Sequence, residues 1–116
     1  TKFFEFAAMW RPIVAASLPA VHEVFGPDPE CGLMFKPGDA ADMVRKILAI
    51  AFDQGLAARL GRNARRRVLQ NYTWDCNIRT VMHLYQKMGV RDAVPPPVRS
   101  DDPVSRELAA EDETDA

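Results

Sequence analysis

The apolar positions of the first 90 residues change rhythm several times, and each change marks an element. In Lys2-Phe3-Phe4-Glu5-Phe6-Ala7-Ala8-Met9, residues Phe3, Phe4, Ala7 and Ala8 share one face at helical spacing. Arg11-Pro12 ends that helix, because the residue before a proline is pushed out of the α region. Pro12-Ile13-Val14-Ala15-Ala16 is continuously apolar with a β-branched centre, the pattern of a short strand buried on both faces. Ser17 and Pro19 open a brief helical or irregular stretch through Val24, and Gly26-Pro27-Asp28-Pro29 reads as a turn. Gly32-Leu33-Met34-Phe35 predicts a second buried strand, closed by Lys36-Pro37-Gly38.

Three helices follow. Asp39 is a good N-cap, with Asp42 at capping-box spacing; Met43, Val44, Ile47, Leu48 and Ala51 then recur helically. Gly55 is expected to separate this helix from the next, whose apolar stripe is Leu56, Leu60, Ala64, Val68 and Leu69. Thr73 caps a third helix with Trp74, Ile78, Val81, Met82 and Tyr85 inward, ending at Gly89. Helix, strand, short helix, strand and three helices make an α/β pattern with a parallel sheet. Two strands of four or five residues are too few for such a sheet to stand alone. The chain therefore reads as the C-terminal half of a doubly wound domain, with a compact helical domain carrying two extended linkers as the alternative.

Composition narrows this picture. A length of 116 residues allows one small domain, and 47% hydrophobic with 27% charged residues is ordinary for a globular chain. No apolar run approaches the roughly 18 residues of a membrane span. The chain begins at Thr1 without the basic and apolar regions of a signal peptide, from which a start removed by processing or truncation is expected. Cys31 and Cys76 fit neither a disulfide scaffold nor a four-ligand zinc site, which favours a reducing, cytoplasmic setting. The net charge of −1 hides an asymmetry: residues 1–91 hold 13 Lys/Arg against 8 Asp/Glu, and residues 92–116 hold 2 against 8. Residues 92–116 also carry Pro95, Pro96, Pro97 and Pro103. Like charges with few apolar groups do not offset the entropy of ordering, so the acidic tail is expected to be disordered apart from a marginal turn near Ser105–Ala110. The working domain is then residues 1–91.

Several segments, in order and at familiar spacing, resemble the C-terminal stretch of the GT-B glycosyltransferases of family 4 (glycosyl transferases group 1). Lys2-Phe3-Phe4-Glu5-Phe6-Ala7-Ala8 is similar to the segment holding the second glutamate of that family's E-x7-E motif. Arg11-Pro12-Ile13-Val14-Ala15 is similar to its x-P-V-V-A strand, and Val21-His22-Glu23-Val24 to its proline-glutamate-valine loop. Gly32-Leu33-Met34-Phe35-Lys36-Pro37-Gly38-Asp39 is similar to G-x-L-v-x-P-G-D, and Tyr72-Thr73-Trp74 to the aromatic opening of the last helix. The resemblance covers about 90 residues and excludes the tail. It also has departures. The first glutamate would lie eight residues before Glu5, and the glycine before the strand is here Trp10. Residues around Ala20-Val21 replace the loop glycines, and the family's basic phosphate-binding residues and acceptor domain lie outside these segments.

The resemblance implies a Rossmann-like GT-B nucleotide-binding half-domain and, for the complete protein, retaining transfer of a hexose-type sugar from a nucleotide-diphosphate donor. It makes Glu5 the carboxylate that accepts from the ribose hydroxyls; the plain reading of the same residue is a surface acid paired with Lys2. Glu23 and Val24 would line the donor pocket, with a solvated loop acid as the alternative. No residue here is expected to be catalytic, no metal or cofactor is expected, and the fragment alone should be inactive. Its partners would be the donor, the missing N-terminal portion of the protein and a membrane-borne acceptor, giving a cytoplasmic protein that can be peripheral to the membrane. His22 reads as a loop residue, His83 as a polar-face residue and Cys76 as an inert thiol. Trp74 and Tyr85 read as packing aromatics, and Trp74 alternatively as the anchor to the N-terminal domain.

Arg62-Asn63-Ala64-Arg65-Arg66-Arg67 lacks the interleaved aromatics of a nucleic-acid surface and reads as a solvated helix flank. Anionic lipid headgroups are what it would bind if it binds anything. A different class of function rests on the same run: a non-catalytic α/β or helical module docking an acidic partner through these arginines.

Overall fold

The computed structural model describes residues 2–26 and 29–90, together with the helical Pro103, Arg106, Glu107, Ala109 and Ala110. The remaining residues of the acidic tail, and Pro27 and Asp28 of the expected turn, lie outside the described residues. The elements run α1 (Lys2–Ala8), β1 (Val14–Ala16), α2 (Pro19–Phe25), a single 3-10 turn (Pro29–Cys31), β2 (Leu33–Phe35), α3 (Ala40–Phe52), α4 (Gln54–Asn71) and α5 (Trp74–Lys87). They form two units, divided within α4 after Val68.

In the first unit the two strands pair in parallel, Val14 with Leu33, Ala15 with Met34 and Ala16 with Phe35. Leu33 N donates to Ile13 O at 2.9 Å, so the ladder starts one residue before β1. The strands are shorter than their apolar runs and half-buried rather than enclosed on both faces. With only two strands, α3 packs on the sheet while the backbone edges have no further strand among the described residues. The core lies beside the sheet instead: Ala7, Ile13, Phe25, Cys31, Leu60, Ala64 and Val68 are buried. Phe25, at the end of α2, packs its ring on Phe3 at 5.1 Å and against Gly32, where an added Cβ would lie 2.7 Å from the ring.

The caps explain where the helices begin. Asp39 Oδ1 accepts from Asp42 N at 2.9 Å. The reciprocal half of a capping box is missing, because Asp42 Oδ2 accepts from Lys36 N at 2.8 Å. That backbone hydrogen bond holds the Asp42 carboxyl below its ordinary value of 3.8 against the opposing effect of desolvation, with the charges of Lys46 and Arg45 adding to the lowering. The α3–α4 break falls at Asp53, not Gly55. Asp53 Oδ1 accepts from Leu56 N at 2.9 Å and its carbonyl from Ala57 N, so an aspartate N-cap starts α4 and Gly55 sits inside the first turn. On α3, Val44, Ile47 and Leu48 of the expected inner stripe are exposed.

The second unit is described mainly by α5. Thr73 Oγ1 accepts from Cys76 N, as its capping role requires, and Gly89 N and Val90 N close the far end on Gln86 O and Tyr85 O, a Schellman arrangement. The stripe expected to face inward is uncovered: Trp74, Ile78, Val81 and Tyr85 are exposed and no α5 residue is buried.

The end of α1 carries the one non-glycine residue with positive φ among the described residues. Arg11 N donates to Phe6 O at 3.0 Å and Trp10 N to Ala7 O at 3.1 Å, the paired bonds of a Schellman motif. Trp10 sits at its left-handed position with φ 60°, where glycine is usual and a side chain costs about 1–2 kcal/mol. Two neighbours hold it there. Gly61 of α4 abuts the Trp10 carbonyl so closely that a Cβ would overlap the oxygen, and the Arg65 guanidinium lies 5.4 Å from the Trp10 ring centroid. Trp10→Ala and Trp10→Gly both delete the ring contact, but only glycine suits the backbone. Thermal melts should place Trp10→Gly above Trp10→Ala by about 1 kcal/mol; an alanine variant as stable as the glycine variant would contradict the strain.

Candidate functional site

Glu5 lies on the exposed side of α1, opposite the buried Ala7. Its carboxylate accepts from Lys2 Nζ at 3.2 Å, with 55% of the side chain exposed. An exposed i, i+3 pair is worth a few tenths of a kcal/mol, so a ligand diol could displace the lysine at little energetic cost. Glu23 is exposed and Val24 half-buried, both on α2. The stretch expected as helical or irregular, and as a loop by resemblance, is thus a helix through Phe25. The structure joins α1 and α2 through the Phe3–Phe25 ring contact, and the two carboxylates stand exposed on separate helices.

The α2 end is fixed from α4. Arg67 Nε donates to Val24 O at 2.6 Å and Arg67 Nη2 to Glu23 O at 3.5 Å. These are the C-terminal carbonyls a helix cannot satisfy internally, and a cation there also complements the helix dipole. Gly26, at φ 77°, leaves room for this approach: a Cβ would lie 2.6 Å from Arg67 Cζ. Arg65 does the same for α1 by donating to Ala8 O. Asn63, one turn before Arg67, adds a third contact, its Nδ2 donating to Glu30 O and Glu30 Oε2, both at 3.2 Å, while the buried Cys31 thiol approaches Asn63 O at 3.7 Å. The arginine run thus departs from a uniformly solvated flank. Arg59 and Arg62 are exposed, but Arg65, Arg66 and Arg67 are half-buried.

One pair escaped the sequence reading. Ser17 Oγ and His22 Nε2 are 2.7 Å apart. Ser17 follows the last residue of β1 and donates its N–H to Phe35 O at 2.9 Å, so the hydroxyl stands at the carboxyl end of the parallel ladder. In open α/β sheets that is where ligands bind. The other nucleophile, Cys76, is spent locally: its thiol meets Thr73 Oγ1 at 3.2 Å and Gln70 O at 3.3 Å. Among the described residues no three His, Cys, Asp or Glu side chains gather to hold a metal ion, and no helix is long and apolar enough to cross a membrane.

Arg67→Ala removes the donor from two carbonyls and should lower stability by about 1–3 kcal/mol, with faster amide hydrogen exchange in α2. Arg62→Ala, at an exposed position, should fall within about 0.5 kcal/mol of the parent. Equal melts for the two variants would contradict the clamp.

Residues 1–83 match the family described as glycosyl transferase-like. Over 89 residues the chain is 32% identical to an MMP alpha-(1->4)-mannosyltransferase of Mycolicibacterium hassiacum, an alignment covering 77% of this chain and 22% of that protein. The chain thus spans about a fifth of the length of the curated relative it matches. No solved structure matches the chain.

Proposed function

The chain belongs to the glycosyl transferase-like family that its residues 1–83 match, and from that premise we propose that it contributes part of the nucleotide-sugar-binding half of a GT-B transferase. The activity, in the complete protein, is retaining transfer of a hexose-type sugar from a nucleotide-diphosphate donor to an acceptor, with membrane-borne molecules as the acceptor class and the cytoplasmic side of a membrane as the place. Glu5 grips the ribose diol, and Glu23 and Val24 line the donor pocket. The walls that carry the phosphate-binding cations and the acceptor belong to the remaining portion of the protein, so the 116 residues alone transfer no sugar.

The observation that supports this reading most is the turn at Trp10. The resemblance aligns Trp10 with a glycine, and a left-handed residue in a Schellman turn is what a glycine position there requires. The helix bearing Glu5 then leads through that turn straight into β1. The alternative, an arginine-docking module, loses ground because Arg65 and Arg67 already serve backbone carbonyls.

Titrating the isotopically labelled chain with GDP-mannose and with UDP-glucose tests the reading. Amide shifts should move around Glu5 and at Glu23-Val24 with at least one donor, and Glu5→Gln should weaken that donor's binding by about tenfold. Shifts confined to Arg59–Arg67, produced as well by a polyanion, would contradict it, and so would sugar transfer by the purified 116 residues.

A further inference from the structure

The Ser17–His22 pair has no part in the packing. His22 is exposed and Ser17 half-buried, and neither side chain contributes to the buried core. Their hydrogen bond joins the residue leaving β1 to the middle of α2 across the turn at Leu18-Pro19. Leu18, the N-cap of α2, makes no side-chain cap, so the serine hydroxyl is not serving as one. A serine beside an imidazole suggests a nucleophile and its base, but that chemistry needs a third group to orient the imidazole. Among the described residues no carboxylate hydrogen-bonds His22. What the pair does offer is one free donor: with Nε2 protonated, the imidazole donates to Ser17 Oγ and the hydroxyl hydrogen is left to point outward.

The register adds a positive charge. Ala16 pairs with Phe35, so Ser17 and Lys36 leave the sheet side by side at its carboxyl end. Lys36 is exposed. Asp42, which accepts the Lys36 backbone N–H, lies 3.2 Å from Arg45 Nη2, so its charge is partly countered from its own helix. A hydroxyl held by an imidazole at one strand end, with a lysine leaving the adjoining strand end, suits an anion with several oxygens.

We propose that Ser17 and His22, with Lys36 at the adjoining strand end, form a binding site for phosphate oxygens of the kind a nucleoside diphosphate carries. The assignment of the ligand as the donor's diphosphate rests on the donor reading above; the anion site itself rests on the geometry. It supplies within this chain a part of the diphosphate contact that the resemblance places elsewhere.

The test is a titration of the full chain with inorganic pyrophosphate, followed at the His22 ring and the Ser17 and Lys36 amides, with GDP-mannose in a parallel arm. Pyrophosphate should shift these signals to saturation. Ser17→Ala and His22→Ala should each weaken its binding by roughly tenfold, Ser17→Thr should retain it, and all three variants should melt as the parent does. Unmoved His22 and Ser17 signals, or unchanged affinity in the alanine variants, would overturn the site. If the sugar nucleotide binds at Glu5 while pyrophosphate leaves His22 unmoved, the anion site falls and the donor reading stands. If pyrophosphate binds at the pair and neither GDP-mannose nor UDP-glucose binds, the site stands and the donor reading falls.

Discussion

Backbone carbonyls at the ends of short helices are the constraint on which the first unit depends. A seven-residue helix satisfies only a few of its own hydrogen bonds, and its last carbonyls need donors from outside if they are packed against another element. Both α1 and α2 are of this length. α4 supplies the donors from the two flanks of its buried stripe: Arg65 to the end of α1 on one, and Arg67 to the end of α2 with Asn63 to the short turn before β2 on the other. Between them Leu60, Ala64 and Val68 fill the core, so apolar packing and carbonyl capture are interleaved on neighbouring residues. Hydrogen bonds from charged donors contribute about 1.5–3 kcal/mol each, comparable with burying a large aliphatic side chain. The flank bearing Arg65 tolerates a tryptophan in a left-handed turn, because Gly61 and Arg65 fix both its carbonyl and its ring.

This arrangement separates framework from function. The clamp acts on helix ends, while the carboxyl end of the ladder, where Ser17 and Lys36 emerge, remains free of it. Val24 and Glu23 are held through their carbonyls. Glu5 is tied only to an exposed lysine.

Local signals were legible in the sequence and tertiary ones were not. Asp39 and Thr73 were readable as caps because capping is settled within three residues. The same physics should have found Asp53, but the adjacent Gly55 was a louder break. The buried stripe of α4 followed from its period, Leu60, Ala64 and Val68 all being buried. The arginines between them read as solvated because a helical wheel does not show that other helix ends arrive there. The strands were recognised but judged too well buried, since an apolar run reports a preference for burial and not the presence of something to cover it. On α5 the same overestimate left an apolar stripe exposed. Ser17 and His22 are five residues apart across a proline, a spacing with no regular meaning, and only the fold brings them to 2.7 Å. The glycine position occupied by Trp10 was visible only through the family resemblance, and its positive φ gives that alignment a physical content.

The account predicts where a nucleoside diphosphate sits. A crystal structure of the complete protein with bound GDP or UDP tests this most directly. The expected result is a ribose whose hydroxyls reach the Glu5 carboxylate and a diphosphate whose oxygens meet Ser17 and His22 at the carboxyl end of the two strands. A nucleotide lodged along Arg59 and Arg62, with Glu5 still paired to Lys2 and the strand ends empty, would contradict it.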